Sequence, residues 1–351
     1  MRAIFKIHRS HALRRLGWLA GLALLARTAS GQDNDDWFQH LRLGVPVLVN
    51  VKARFSVNGQ FNLNSQAGPT GVTGANHIFN DGYVKVDDTG DAAGQTGFWG
   101  YQNASQYNPV AQTLTMHSDT AYSASGSADK DAQPFAGFEI AYGTDLFRLG
   151  PTRIGLELGG SLVPIHITDD QPLAATVNQS AYTFNTGAII VPTAPYNGGP
   201  SGVGEPTIFD TATAAGSATV PGTVTGTRRL ELMLYTLRLG PTFDWNFATN
   251  TSLQIGAGPA VGIVTGDYKF DETITTAVGS TQNSGSLGTT KTVFGGYVNA
   301  SIAYRFVEDG EVYAGAQFMP LGNVNMNFPG RQATLDLRQA VQFSAGINWP
   351  F

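Results

Sequence analysis

Few residues in this chain have the types and spacing to do chemistry. His166 precedes Asp169 and Asp170 within one short stretch, and a histidine beside two carboxylates can hold a metal or move a proton. His77 and His117 are further imidazoles in a long polar stretch. Asp87-Asp-Thr-Gly-Asp91 offers carboxylates whose spacing does not fit a calcium loop of about twelve residues, so it reads as a turn. Gly256-Ala-Gly-Pro-Ala-Val-Gly262 lies in a strand-like segment and opens no helix. It is not a nucleotide loop, and its glycines make room for bulky or charged residues opposite. The histidine clusters read as solvated loop, with no cofactor, no metal and no enzyme implied. The chain has no cysteine, which removes thiolate and disulfide chemistry.

The larger chemical group is a set of charges on the polar side of two-sided segments: Arg42, Lys52, Arg54, Glu139, Arg153, Glu157, Arg238, Asp244, Arg305 and Arg338. Facing a narrow interior they must be paired or hydrated, because an isolated buried charge is very costly. They give two readings. One is a salt-bridged polar plug. The other is a small, anion-leaning pore, since bases outnumber acids.

The elements that must position these charges are strands. Residues 333–351 show the pattern most clearly. Leu335, Leu337, Val341, Phe343, Ala345, Ile347, Trp349 and Phe351 share one parity, while Asp336, Arg338, Gln342, Ser344 and Asn348 share the other. A period of two is a β-strand with one apolar and one polar face. Similar segments begin at Leu41, Gln133, Thr152, Thr227, Ser252, Thr290 and Glu311, which makes eight strands. The first runs from Leu41 to Val57 with Arg42, Lys52 and Arg54 inward. In the fourth, 227–247, the apolar parity switches above Tyr235 to Leu230, Leu232 and Leu234, and a one-residue bulge is expected there. Connections alternate long and short. Residues 58–131 and 168–226 are long polar loops, 269–289 is a third, and 148–151, 248–251 and 307–310 are tight turns.

Composition agrees. The 351 residues include 43 glycines and only 13 % charged residues, which suits a β-rich chain with long turns. A net charge of −5 gives no reason to expect a nucleic-acid partner. Residues 1–31 read as a signal peptide, with basic Arg2, Lys6, Arg9, Arg14 and Arg15, an apolar core from Leu16 to Ala26, and small residues before cleavage. Residues 32–40 form a periplasmic leader and 41–351 the folded unit.

Ser344-x-Gly346-x-x-Trp349-x-Phe351 resembles the C-terminal insertion signal of bacterial outer-membrane barrels, polar-x-Gly-x-x-aromatic-x-aromatic. With the alternation and the long-short loop pattern, the chain resembles small outer-membrane barrels of the OmpA/OmpX/OmpW-like kind. The resemblance implies an all-β fold: an eight-stranded antiparallel transmembrane β-barrel with long extracellular loops and both ends in the periplasm. It implies Trp245, Phe247, Tyr304, Phe306, Trp349 and Phe351 at the membrane interface. It also implies outer-membrane lipid, lipopolysaccharide and the barrel-insertion machinery as partners, and an unknown extracellular ligand. A surface role through the loops is the expected function, with small-solute passage as the alternative.

Overall fold

The computed structural model describes residues 39–63, 70–90, 92–131, 133–201, 204–307 and 310–350. The expected signal peptide, the leader up to residue 38, and Phe351 lie outside the described residues.

Thirteen strands carry the architecture: β1 (Gln39–Val49), β2 (Lys52–Asn62), β3 (Thr113–Asp131), β4 (Phe138–Leu149), β5 (Thr152–Asp169), β6 (Leu173–Asn185), β7 (Thr213–Ala248), β8 (Thr251–Thr276), β9 (Gly279–Val307), β10 (Gly310–Phe318), β11 (Asn323–Phe328), β12 (Arg331–Asp336) and β13 (Val341–Pro350). Eight of them close a ring in the order β5-β4-β1-β13-β10-β9-β8-β7, with β7 pairing back onto β5. All its pairings are antiparallel. Closure leaves no open edge at this level, which is what a strand structure in hydrocarbon requires.

The ring continues upward. β7 has 36 residues, which at about 3.3 Å each is roughly 120 Å of strand, against the 9–11 residues or so that a crossing needs. The upper halves of β7, β8 and β9 join a second arc, β9-β8-β7-β6-β3-β2-β12-β11. Strand for strand, this arc stacks on the lower ring: β2 follows β1, β12 precedes β13, β11 follows β10, β3 precedes β4, and β6 follows β5. The expected loops 58–131 and 168–226 are therefore corrected. They hold β3, β6 and the first part of β7, under a cap of short strands between His77 and Phe209. The expected third loop, 269–289, is the top of the β8–β9 hairpin.

Sidedness explains the height. On β7 the odd residues Tyr235, Leu237, Leu239, Phe243, Trp245 and Phe247 are exposed, and the even residues Thr236, Arg238, Thr242 and Asp244 are buried. At a tilt of about 45°, the distance from Tyr235 to Phe247 comes to roughly 30 Å, the hydrocarbon thickness. Above it Leu230, Leu232 and Leu234 are also buried and also even. The register with β5 runs from Thr152↔Trp245 to Asp169↔Arg228 without a shift. The expected bulge is absent. The side chains keep their direction, and the solvents change places: lipid outside and polar lumen below, water outside and apolar core above. That core includes Val51, Phe55, Val163, Ile165, Leu321 and Leu335.

The expected single first strand is broken instead. Asn50 has φ 59°, a left-handed conformation asparagine tolerates, and its side-chain amide donates to the Gln339 carbonyl at 2.8 Å. Beyond this corner the facing reverses. Val51, Ala53, Phe55 and Val57 turn inward, while Lys52 and Arg54 turn out.

Candidate functional site

The lumen at membrane height is the densest constellation of functional groups. Arg238, inward on β7, reaches across it. Its Nη1 donates to Glu157 Oε1 at 2.5 Å and its Nη2 to Glu139 Oε1 at 2.8 Å. Gln342 Nε2, from β13, donates to Glu139 Oε2 at 2.9 Å. Arg42 and His40, from β1, each stand 3.7 Å from Glu157 Oε2. Arg42 also lies 4.5 Å over the Tyr313 ring and Arg238 5.2 Å over Tyr297. Small residues make this possible: a Cβ on Gly159 would sit 2.7 Å from the Arg238 guanidinium carbon, and one on Gly256 2.5 Å from Asn299 Oδ1. Gly256 leaves room for Asn299, its partner on the adjacent strand β9, and not for the bulky or charged residue across the lumen that the sequence suggests.

A second layer lies towards the periplasmic turns. Arg153 stands 3.3 Å from Asp145 and is in register with Asp244. Arg305 Nη2 donates to Glu311 at 3.2 Å, and Asn348 Nδ2 donates to Glu311 at 2.7 Å. His40, Arg42, Asp244 and Gln254 help to line a cavity of about 20 Å³, room for roughly one water.

Lys52, Arg54 and Arg338 are not in the lumen, and their place in the expected network is corrected. The turn at Asn50 puts Lys52 and Arg54 on the aqueous surface, where Arg54 pairs with Asp129 at 2.6 Å with both side chains more than 60 % exposed. Arg338 pairs with Asp336 just outside β12. Among the described residues the inward charges at membrane height are then Arg42, Arg153, Arg238 and Arg305 against Glu139, Asp145, Glu157, Asp244 and Glu311, with no basic excess.

A third ionic layer was missing from the sequence reading. Arg228 is fully buried in the extracellular half, 2.8 Å from Asp169 and 2.9 Å from Glu272. Arg331 bonds Glu272 at 2.6 Å and the Tyr122 hydroxyl at 2.5 Å, with its guanidinium between the Phe61 and Phe270 rings. Parity was the available signal, since Arg228 lies in phase with Arg238 on β7.

The histidine candidates do not converge. His166 faces outward opposite Glu231, Asp169 faces inward, and Asp170 is exposed near Lys130. Asp87 closes a turn, accepting from the Thr89 backbone and hydroxyl at 2.8 and 2.5 Å and from Gly97 N at 2.9 Å. In the cap, His117 Nδ1 lies 2.7 Å from Asp81, whose carboxylate raises the imidazole pKa against the lowering effect of burial. Among the described residues no group of three or more His, Asp or Glu could hold a metal ion.

Trp245, Phe247, Tyr304, Phe306 and Trp349 are exposed at the periplasmic end of the apolar belt. Ser344, Gly346 and Trp349 lie on β13, paired with β1 at Pro46, Gly44 and Leu41. A closed antiparallel ring of eight strands, apolar outside and polar inside, is the architecture of a bacterial outer-membrane β-barrel, and the chain is one.

No family model matches the chain, and no curated protein matches it. Among solved structures it is similar to Ail, the attachment invasion locus protein of Yersinia pestis, in complex with the heparin analogue sucrose octasulfate. Identity is 8 %, over 90 % of this chain and 99 % of that one, with a TM-score of 0.27. It is similar to the outer membrane protein OprG of Pseudomonas aeruginosa at 9 % identity, over 90 % and 96 % of the chains, with a TM-score of 0.34. It is similar to the outer membrane protease OmpT of Escherichia coli at 9 % identity, over 91 % and 98 %, with a TM-score of 0.31. Likenesses this distant carry no functional weight; the fold assignment rests on the strand ring and its two faces.

Proposed function

We propose that this barrel is closed to solutes and non-catalytic, and that it works at the cell surface through its tall extracellular extension. One observation carries the reading: the lumen is crossed by Arg238 bonded to both Glu139 and Glu157. Immediately above, the inward residues Leu234, Val163, Ala260, Met319 and Leu321 belong to a buried apolar core. An ion or small solute would have to break a buried ion-pair network and then enter a dry layer. Both steps are costly. The near balance of inward charge also favours the plug over an anion-leaning pore.

The extension supplies the surface. It lifts the cap well beyond the outer leaflet, where the cap presents exposed Val110 and Ile190. Purified, refolded protein in planar bilayers is expected to show no steady single-channel conductance. Reproducible, ion-selective steps would contradict this reading and favour solute passage.

A further inference from the structure

We infer that the upper edge of β9 is a docking site for an extended polypeptide segment of a partner in the external medium, which adds to the sheet as a further strand. This deepens the surface reading by naming the chemical class of partner. The lower ring is closed, but the upper arc ends in two strands, β9 and β11, that share no ladder. They converge where Gly322 approaches Val293 and Gly295 approaches Pro320. Above that point β9 is paired on one side only, with β8, among the described residues.

Pairing parity says which backbone groups are left. Arg305 N donates to Asn250 O, so the pair Thr251↔Tyr304 is of the non-hydrogen-bonded kind. The β8–β9 register runs without a shift up to Thr276↔Gly279. The even-numbered residues from Ser280 to Thr292 therefore aim both N–H and C=O away from β8. Their side chains are exposed. Only an extended backbone presents donors and acceptors at the matching repeat of about 6.8 Å.

Long edges are normally blunted by charges, proline or bulges. Residues 279–292 contain no proline and no acidic residue, and Lys291 is their one charge. Beside the edge, Leu287 and Phe328 are only partly buried against the core, and Phe328 meets Phe270 edge-on at 5.3 Å. An incoming strand with an apolar residue at one inward position would cover them. A second copy in the same membrane carries its β9 in the same direction, a parallel partner, and its antiparallel edge strand β11 has only six residues, less than half of the open edge, so an external segment free to run antiparallel along the whole edge fits better.

The test uses the refolded mature chain in micelles and a labelled peptide copying residues 265–276, the sequence that pairs with the other edge of β9. Saturable binding is expected. Amide exchange at the even residues from Ser280 to Thr292 is expected to slow at least tenfold on binding, with the odd amides unchanged. Ser286→Pro removes one edge N–H that the fold does not use and should weaken binding at least tenfold, while Ser286→Ala should not. Absence of saturable binding, even amides already protected in the free chain, or equal affinity of the two variants overturns the proposal. So does a peptide-free dimer that protects this edge. None of these outcomes bears on conductance, so the closed-barrel reading stands or falls separately.

Discussion

Replacing Arg238 by alanine lowers the unfolding free energy by about 3–5 kcal/mol, measured by urea titration of the refolded protein in lipid vesicles. The guanidinium is the only cation hydrogen-bonded to Glu139 and Glu157 among the described residues, and both carboxylates are almost fully buried. Without it, two like charges remain in a narrow lumen with only the more distant Arg42 and His40 nearby. The double variant Arg238→Met, Glu139→Gln removes one charge of each sign and leaves Glu157 to Arg42 and His40. It should recover most of the loss, since a buried ion pair is often replaceable by uncharged groups of similar volume. If Arg238→Ala changes stability by less than about 1 kcal/mol, the lumen is hydrated enough to screen these charges and the plug is not a plug.

Leu232→Lys is expected to cost more than about 4 kcal/mol, in the range reserved for an unpaired charge forced into a core. Met233→Lys, one residue on and facing water, is expected to stay within about 0.5 kcal/mol. Leu232 is 3 % exposed, and the nearest ionic groups in phase with it on β7 are Arg228 and Arg238, both already paired. The pair of variants separates two accounts of the same sequence. With a bulge below Leu234, Leu232 would face outward and the two costs would exchange. With continuous register they fall as stated. Equilibrium unfolding of both variants under one set of conditions decides between them.

The membrane-spanning half was legible in the sequence because lipid imposes a strict code. Apolar residues, many of them bulky, dominate the outward positions, so Tyr235, Leu237 and Leu239 announce the face that Arg238 does not share. The extracellular half obeys a weaker code. Water outside accepts serine, threonine and asparagine, and much of the inner face of β3 is small: Ala124, Gly126 and Ala128 carry little hydropathy signal. A strand of 19 residues therefore looks like loop in the sequence. The switch of apolar parity on β7 is visible in the sequence, but a bulge is not its cause. It marks the level at which the outer solvent changes, and no residue is inserted there.

Lys52 and Arg54 show a different limit. Alternation counted from Leu41 places them inward, and only the left-handed turn at Asn50 reverses them. Asparagine adopts that conformation at little cost but is also common in ordinary strand ends, so the residue alone does not announce the corner. The Arg228 layer needed no new signal. It needed the parity of β7 to be carried ten residues past Arg238 without interruption, and the assumed bulge prevented that.

The central claim is that one unbroken strand keeps its inner face while the medium outside it changes from lipid to water. The chain has no cysteine, so a single cysteine carrying a nitroxide can be placed in turn at each position from 228 to 247 of β7. Oxygen and a water-soluble nickel complex then report lipid and water access. The account predicts low access to both at even positions through 244, oxygen access at odd positions from 235 to 247, and nickel access at 229, 231 and 233, with no break in the alternation. A one-residue shift of the alternation between 233 and 236 would contradict it.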